Sequence, residues 1–282
     1  MKAVTEKAYG KINLYLDVVG KRADGYHNIL SVMHTVGIYD LVTVSRADGG
    51  INMTCSDESL TCGEDNLCVK AARAFFDASD LDGGCVIRLE KSLPMGAGMG
   101  GGSADAAAVL RALNIIYETG LSSDELCKIG VKIGADVPFC VVGGCKKAEG
   151  VGEILTDFPC LPDCYIVLCE GGEKVSTPMA YRQIDLTPAS KAGDFDGFEK
   201  AMREGVLTAL CGKLYNRFED TCPDSERIKA QLIKNGALGA LMTGSGSAVF
   251  GIFENNDSAS RAARIINEQG IGCYVTKPIN NG

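Results

Sequence analysis

The stretch LPMGAGMGGGSADAAAVL, residues 93–110, holds five glycines within Gly96–Gly102 and then becomes rich in alanine. The alanine-rich part predicts a helix that begins near Ser103, because alanine is the best helix former. Glycine loses more conformational entropy on folding than other residues, so five together need a physical reason. Their N–H groups and the positive end of the helix form a site that suits a phosphate. The alternative is a turn that only packs the helix closely onto a sheet.

Three better-known glycine motifs do not fit this segment. Gly96, Gly98 and Gly101 match the spacing G-x-G-x-x-G, but a dinucleotide fold needs a buried parallel strand directly before the glycines. Here the charged stretch CVIRLEKSLP precedes them, and a further helix follows where an acidic strand end is needed. A Walker A loop needs Gly-Lys-Ser or Gly-Lys-Thr, which is absent, and the glycine loop of protein kinases lies in a hairpin.

Composition narrows the class of protein. The length of 282 residues is enough for one large or two ordinary domains, and with 46% apolar residues the chain can bury a core. No stretch approaches the ~20 consecutive apolar residues of a membrane span. The net charge of −8 argues against nucleic acid as a partner, since such binders carry a basic face. The N-terminus alternates polar and apolar residues, unlike a signal peptide, so we expect a cytoplasmic protein. We also expect a monomer or a homodimer.

Thirteen cysteines raise the question of disulfides or zinc. Their odd number, their scattered spacing and the lack of a CxxC pair argue against a disulfide framework. Zinc ligands usually come as close pairs, and Cys160–Cys164 and Cys140–Cys145 match that pattern poorly, with no histidine nearby. We therefore expect cysteines that pack as small apolar residues, and a structural role for His34.

Periodicity predicts an α+β chain with two domains, 1–155 and 156–282. Residues 11–19, KINLYLDVV, alternate apolar and polar side chains, which predicts a half-buried strand with an outward polar face. The segment 177–194 is polar and contains proline, so a loop is predicted there. Strands on both sides of the GSGS turn, with their neighbouring helices, predict a small C-terminal α+β sandwich. Helices are predicted near 66–78, 103–117, 122–133, 194–205, 224–234 and 258–268.

Three segments resemble the GHMP kinases, the superfamily of galactokinase, homoserine, mevalonate and phosphomevalonate kinases. They are PMGAGMGGGSADAAAV, the N-terminal AYGKINLYLDV and the C-terminal MTGSGSAVFGIF. RADGYH and IGADVPFCVVGG are similar to one branch, whose members use ATP to phosphorylate the 2-hydroxyl of 4-diphosphocytidyl-2-C-methyl-D-erythritol in the non-mevalonate isoprenoid pathway. The resemblance implies an N-terminal domain like ribosomal protein S5 domain 2, a ferredoxin-like C-terminal domain, and the cofactors ATP and Mg²⁺.

The resemblance implies that Lys11 and Asp136 are catalytic. From the residues alone, Asp136 stands at a structural break before Val-Pro, where its carboxylate could face a cleft, cap a helix or be solvated. Lys11 lies on the polar side of the first predicted strand, where a plain exposed lysine is the alternative. By resemblance, Asp136 takes or orients the hydroxyl proton of the acceptor, and Lys11 steadies charge on the transferred phosphoryl group.

The resemblance also implies which residues hold the ligands. Tyr26 would stack on the cytosine and His27 would hydrogen-bond its edge. The other substrate-binding residues implied are Asn13, Thr177, Pro178 and Tyr181, with Gly244 and Gly246 near the substrate phosphates. The nucleotide-binding residues implied are Asn66, Lys91, Pro94, Gly96, Gly98, Gly100, Gly101, Gly102 and Ser103. Ser103 and Asp105 are the candidate metal ligands, and Ser103 could instead cap its helix.

Two other functions stay open from the sequence. Another kinase of the superfamily, acting on homoserine or a mevalonate-type alcohol, would have no use for the segment GYH at 25–27. A metabolite-sensing homologue would keep the fold and lose turnover, and the presence of both Lys11 and Asp136 counts against it.

Overall fold

The computed structural model describes residues 2–172 and 176–280, which form two β-sheets with helices packed on them. The strands are β1 (Ala3–Lys21), β2 (His27–Ala47), β3 (Gly50–Cys55), β4 (Gly84–Glu90), β5 (Cys145–Glu149), β6 (Ile154–Asp157), β7 (Tyr165–Cys169), β8 (Tyr215–Asn216), β9 (Gly239–Met242), β10 (Val249–Phe253) and β11 (Cys273–Thr276). The helices are α1 (Leu67–Ser79), α2 (Gly101–Tyr117), α3 (Ser123–Gly130), α4 (Val137–Val142), α5 (Thr177–Leu186), α6 (Phe195–Glu204), α7 (Leu207–Cys211), α8 (Asp224–Lys234) and α9 (Asn256–Asn267).

The larger sheet has the strand order β3-β4-β2-β1-β8, with β5 paired to β2 and β6 paired to β5. The long strands β1 and β2 form an antiparallel hairpin, and β8 from the C-terminal half joins β1 in parallel. The alanine-rich helix α2 packs against this hairpin and against α1. Its small buried side chains let the helix lie close to the sheet, and they are Ala104, Ala106, Ala107, Ala108 and Ala112.

Residues 11–16 of strand β1 lack the exposed polar face that the alternation predicts, so the expectation of a half-buried strand is wrong there. Every residue from 11 to 16 is buried, and Lys11 is only 4% exposed. The polar face is covered because Lys11 N donates to Met99 O of the glycine loop and Asn13 N donates to Thr243 Oγ1 of the C-terminal half. The polar residues of the strand therefore line an interior cleft.

The smaller sheet has four antiparallel strands in the order β11-β7-β10-β9, with α8 and α9 packed on it. All four strands lie in the segment 156–282, and the predicted α+β sandwich is confirmed. The division at 155/156 falls inside β6, which pairs in the larger sheet. The domain limits 1–155 and 156–282 stay a prediction.

The helices differ from those predicted in several places, and α4 and α7 were not predicted. The segment expected to be a loop contains α5, because Pro178 lies in its first turn, where no backbone N–H is needed. Helix α3 ends at Gly130, three residues before the predicted end at residue 133. Helix α2 begins at Gly101 with Gly100 at the N-cap, so Ser103 lies inside the first turn and does not cap the helix. Helix α1 begins as expected, and the side chain of its N-cap, Asn66, accepts a hydrogen bond from Cys68 N.

The cysteines and His34 lie mostly in packed regions. All thirteen cysteines are free thiols. The ring of His34 is buried, with Nδ1 bonded to Thr35 O and Nε2 accepting from Leu161 N, which fits a structural role. Across the described residues, we find no helix of sufficient length and apolarity to cross a membrane.

Candidate active site

A cleft of about 1050 Å³ is lined by residues from both halves of the chain. Its volume slightly exceeds the upper end, about 1000 Å³, of typical small-molecule sites, so it has room for more than one ligand. Each residue that the sequence placed in the site lines this cleft. They are Lys11, Asn13, Tyr26, His27, Asn66, Lys91, Pro94, Gly96, Gly98, Gly100, Gly101, Gly102, Ser103, Asp105, Asp136, Thr177, Pro178, Tyr181, Gly244 and Gly246.

The glycine loop, residues 96–102, packs closely against the C-terminal half at Gly98 and against Lys11 at Gly100. Gly98 has φ +74° and a Cβ there would lie 2.1 Å from Thr243 O, so this glycine serves close packing between the two halves. Gly100 has φ +68° and a Cβ there would lie 3.2 Å from Lys11 Cγ and 3.6 Å from Asp136 Oδ2. The loop therefore runs directly against the candidate catalytic pair. The packing explanation applies at Gly98, and ligand binding by the loop stays a prediction.

The first turn of α2 faces the same cleft. The first four N–H groups of a helix have no partner within it, and together they carry a partial positive charge. Gly100 at the N-cap has no side chain that could bond to these groups. The N–H groups at this helix start are therefore suited to an anionic ligand.

Asp136 and Lys11 form an ion pair at the bottom of the cleft. Lys11 Nζ lies 3.5 Å from Asp136 Oδ2, and the Asp136 side chain is 36% exposed. Asp136 occupies the N-cap position of the short helix α4, but its side chain bonds to no N–H of that helix. The capping alternative for Asp136 and the exposed-lysine alternative for Lys11 are thus both excluded.

Asn13 orients the Lys11 ammonium. Its Oδ1 accepts hydrogen bonds from Lys11 Nζ at 2.7 Å and from Gly244 N at 3.0 Å, while its Nδ2 donates to Ser31 Oγ at 2.9 Å. Thr243 Oγ1 donates to Gly98 O at 3.3 Å and so joins the glycine loop to the same network. Most of the Asn13 amide is therefore used within the protein, whereas the sequence suggested substrate contact only. Thr243 and Ser31 were not singled out from the sequence.

Lys91 is held between two buried carboxylates. Its Nζ contacts Asp40 Oδ2 and lies 2.9 Å from Asp105 Oδ2. Asp40 Oδ1 also accepts from the backbone N–H groups of Ser92 and Leu93, so it anchors the chain that leads into the glycine loop. Burial disfavours the ammonium, but Asp105 and Asp40 outweigh this and raise the pKa of Lys91. Asp40 is a residue that the sequence analysis missed.

Asp105 lies inside α2 and is only 3% exposed. Burial raises its pKa to about 7; Lys91 opposes this shift and the charge of Asp40 adds to it. Its Oδ1 is buried without a hydrogen-bond partner. A hard cation such as Mg²⁺ prefers oxygen ligands, often one or two carboxylates together with phosphates and water. Asp105 Oδ2 is paired with Lys91 and Oδ1 is enclosed, so neither oxygen is open to direct coordination of Mg²⁺, whereas Ser103 lines the cleft. No group of three metal-ligating side chains occurs in the described ranges.

The far end of the cleft, called here the base end, contains Tyr26, His27, Tyr181 and Asp185. The Tyr26 ring is 65% exposed and available for stacking. The His27 ring stacks on Tyr181, with 4.8 Å between centroids and 19° between planes. Phe218 packs edge-on against Tyr181. Tyr181, which the resemblance implies as a substrate-binding residue, therefore already contacts two aromatic rings of the protein, His27 and Phe218. Asp185, which the sequence analysis did not identify, lies 2.8 Å from His27 Nε2.

The N-terminal end of α5 closes one side of the cleft. Thr177 and Pro178 form its first turn, and Thr177 Oγ1 lies 3.2 Å from Ser245 Oγ in the GSGS turn. Two segments that are far apart in sequence therefore meet at this point, between the base end and the glycine loop.

Comparisons with known proteins agree with this geometry. The family model "GHMP kinases N terminal domain" matches residues 66–144, and "GHMP kinases C terminal" matches residues 186–272. The 4-diphosphocytidyl-2-C-methyl-D-erythritol kinase of Desulfitobacterium hafniense (strain Y51) is 41% identical over 98% of this chain and 96% of its own length. The protein of the same name from Alkaliphilus metalliredigens (strain QYMF) is 39% identical over 93% of this chain and 92% of its own length.

Solved structures share the whole architecture. A crystal structure of 4-(cytidine 5'-diphospho)-2C-methyl-D-erythritol kinase matches with a TM-score of 0.80 and 32% identity, over 99% of this chain and 100% of that chain. Homoserine kinase from Cytophaga hutchinsonii ATCC 33406 matches with a TM-score of 0.78 but 18% identity, over 100% of this chain and 96% of that chain. The second likeness concerns the fold alone, and together they confirm the predicted two-domain α+β fold.

Proposed function

Because this chain belongs to the GHMP kinases, and within them to the 4-diphosphocytidyl-2-C-methyl-D-erythritol kinase family, we propose that it transfers the γ-phosphate of ATP to the 2-hydroxyl of that cytidyl alcohol, a step of the non-mevalonate isoprenoid pathway. One observation carries the proposal: the Lys11 ammonium, the Asp136 carboxylate and the glycine loop at Gly100 meet in one cleft. Phosphoryl transfer needs a group for the acceptor's proton, a positive charge and a loop that positions the phosphates.

Asp136 takes or orients the proton of the acceptor hydroxyl. Its carboxylate is partly exposed to the cleft and bonds to no helix N–H, so the alcohol can donate a hydrogen bond to it. The Lys11 ammonium, 3.5 Å away, offsets negative charge on the transferred phosphoryl group. Asn13 holds that ammonium in place through its Oδ1.

The glycine loop and the start of α2 hold the triphosphate of ATP. Backbone N–H groups there would donate to phosphate oxygens, and the lack of a side chain at Gly100 leaves the space beside Lys11 and Asp136 open. Asn66, Lys91 and Pro94 line the nucleotide side of the cleft. Ser103, which lines the cleft, would hold Mg²⁺ together with the phosphates, whose charge the ion neutralises when bound. Asp105 would act only indirectly, because its oxygens are enclosed or paired with Lys91.

The base end holds the cytosine. The exposed ring of Tyr26 stacks on the base, and His27 bonds its edge from a ring that Tyr181 supports. Thr177 and Pro178, with Gly244 and Gly246 opposite, border the path from the base to the glycine loop.

A screen of phosphate acceptors tests this function. ADP release would be measured by a coupled assay with ATP, Mg²⁺ and, separately, the cytidyl alcohol, homoserine and mevalonate. We expect ADP release with the cytidyl alcohol alone. Turnover of homoserine or mevalonate instead would indicate another kinase of the superfamily. Binding of the cytidyl alcohol without ADP release would indicate a metabolite-sensing homologue.

Replacing Gly98 by alanine should lower kcat/KM by about 10²-fold. The new Cβ would lie 2.1 Å from Thr243 O, so the loop must shift, and a misplacement of about 1 Å in a catalytic site costs on this order. Gly120→Ala is a matched control, since Gly120 also has a positive φ, +65°, but has open space around its Cβ position. Its activity should not change, and an equal loss in both variants would contradict a role for the loop.

Replacing His27 by alanine should raise KM for the cytidyl alcohol by roughly 10-fold or more and leave KM for ATP unchanged. The variant loses the imidazole that would bond the edge of the cytosine and that Asp185 and Tyr181 hold in place. The glycine loop, which would bind ATP, is unchanged. Steady-state kinetics with each substrate varied in turn measures both constants. If both KM values rise equally, His27 serves the fold and not the base.

We also infer a cytoplasmic protein, a monomer or homodimer, with domains 1–155 and 156–282. Support for the compartment comes from the thirteen cysteines, which are all free thiols and would be kept so in a reducing environment. Support for the two domains comes from the smaller sheet, whose four strands all follow residue 164, whereas the larger sheet contains the strands up to Asp157 and the short β8. The acidic net charge of −8 argues against nucleic-acid binding.

A further inference from the structure

Asp185 holds the ring of His27 at the base end. It lies in the last turn of α5, four residues after Tyr181, so the two side chains share one face of that helix. Asp185 Oδ1 lies 2.8 Å from His27 Nε2, and Tyr181 stacks on the same ring. One turn of helix thus fixes both the plane of the imidazole and one of its two nitrogens.

The hydrogen bond between Asp185 and His27 has a defined direction. Lys21 Nζ lies 2.5 Å from the second carboxylate oxygen, and hydrogen bonds from Lys21 and His27 lower the pKa of Asp185. An ionised carboxylate only accepts hydrogen bonds, so Nε2 of His27 must donate.

The other nitrogen of His27 is left to read a ligand. A neutral imidazole with its hydrogen on Nε2 has a lone pair on Nδ1 and accepts a hydrogen bond there. No residue in 2–172 or 176–280 bonds to Nδ1 of His27, whose ring lines the cleft. At position 4 of a pyrimidine, cytosine has an amino group that donates, whereas uracil has an oxygen that accepts. An Nδ1 lone pair facing this position attracts cytosine and repels uracil.

We propose that Asp185 is a positioning residue that makes this site selective for cytosine over uracil, because it fixes His27 in the tautomer whose Nδ1 accepts a hydrogen bond. The inference rests on the proposed function, since it concerns the base of that substrate. Asp185 acts only through His27 and does not touch the reacting atoms.

The test compares Asp185→Asn with the wild-type enzyme on the cytidine form and the uridine form of the substrate. An asparagine amide can either donate or accept, so it no longer selects one tautomer. We expect the ratio of kcat/KM for cytidine over uridine to fall by roughly 10-fold, which is the scale of one hydrogen bond between neutral groups. The change should lie in KM for the cytidine form, with kcat nearly unchanged.

A double-mutant cycle distinguishes positioning from a purely structural effect. In the background of His27→Ala, Asp185→Asn should have no further effect on KM or on the ratio, because the ring through which it acts is gone. A shift of equal size in that background would overturn the proposal. So would an unchanged ratio in the single variant Asp185→Asn.

Asp163→Asn is the matched control. Asp163 is also paired with a lysine, Lys277, at 3.0 Å, but it is exposed and does not line the cleft. Its kinetic constants and its cytidine-to-uridine ratio should equal those of the wild type. A wild-type enzyme that releases no ADP with either form refutes the proposed function, and this inference with it. Normal turnover with an unaltered ratio in Asp185→Asn refutes this inference alone.

Discussion

Replacing Asp136 by asparagine is expected to lower kcat by about 10²–10⁴-fold, because the amide keeps the shape of the side chain but cannot take the hydroxyl proton. Nucleotide binding should be largely intact, since the glycine loop and the start of α2 do not depend on this carboxylate for their hydrogen bonds. Single-turnover kinetics separates the chemical step from binding and product release.

The control for this variant is Asp157→Asn. Asp157 is also an aspartate paired with a lysine, Lys146, but it is exposed and lies outside the cleft. Its turnover should match the wild type. Unchanged turnover in Asp136→Asn would remove Asp136 from the mechanism, and a lost affinity for ATP in that variant would mean that the carboxylate shapes the nucleotide site.

Replacing Lys91 by methionine should lower the free energy of unfolding by about 3–5 kcal/mol, the usual cost of leaving a buried charge without its partner. Asp40 and Asp105 are both buried, and Lys91 is the cation that contacts each of them. Urea denaturation measures the change. The control is Lys2→Met, whose pair with Glu118 at 2.6 Å is exposed and screened by solvent, so its loss should change the free energy of unfolding little.

The loss in Lys91→Met should shrink at low pH. Burial raises the pKa of Asp105 from 3.8 to about 7 even with Lys91 present, so the folded state binds a proton more tightly than the unfolded state. Stability from this group is therefore full below the unfolded pKa and declines as pH rises through the folded value. Without the lysine the decline extends to higher pH, and the variant should be less impaired near pH 5 than near pH 8. A pH-independent loss would contradict this account of the cluster.

The features of the fold and site that could be predicted from the sequence are those that depend on residues close together in the chain. The glycine run, the alanine helix and the break at Asp136 each express their chemistry within a few residues, so their structural setting could be predicted without a model of the whole chain. The strand periodicity around Lys11 was equally local, and it placed the lysine on the correct face.

The features that could not be predicted depend on contacts between segments that are far apart in the sequence. Asp40 and Asp185 stand in unremarkable sequence, and only the fold brings them to Lys91 and His27. The covering of the polar face of β1 likewise depends on Thr243, 230 positions after Asn13. Helix α5 was missed because its proline and polar residues resemble a loop until their neighbours are known.

A structure of the enzyme with a non-hydrolysable ATP analogue and the cytidyl alcohol tests the central claim most directly. We predict the triphosphate on the N–H groups of residues 96–102 and the acceptor hydroxyl within hydrogen-bond distance of Asp136, about 2.6–3.2 Å. An analogue bound elsewhere, with the glycine loop empty, would contradict the account, as would an acceptor hydroxyl far from residue 136.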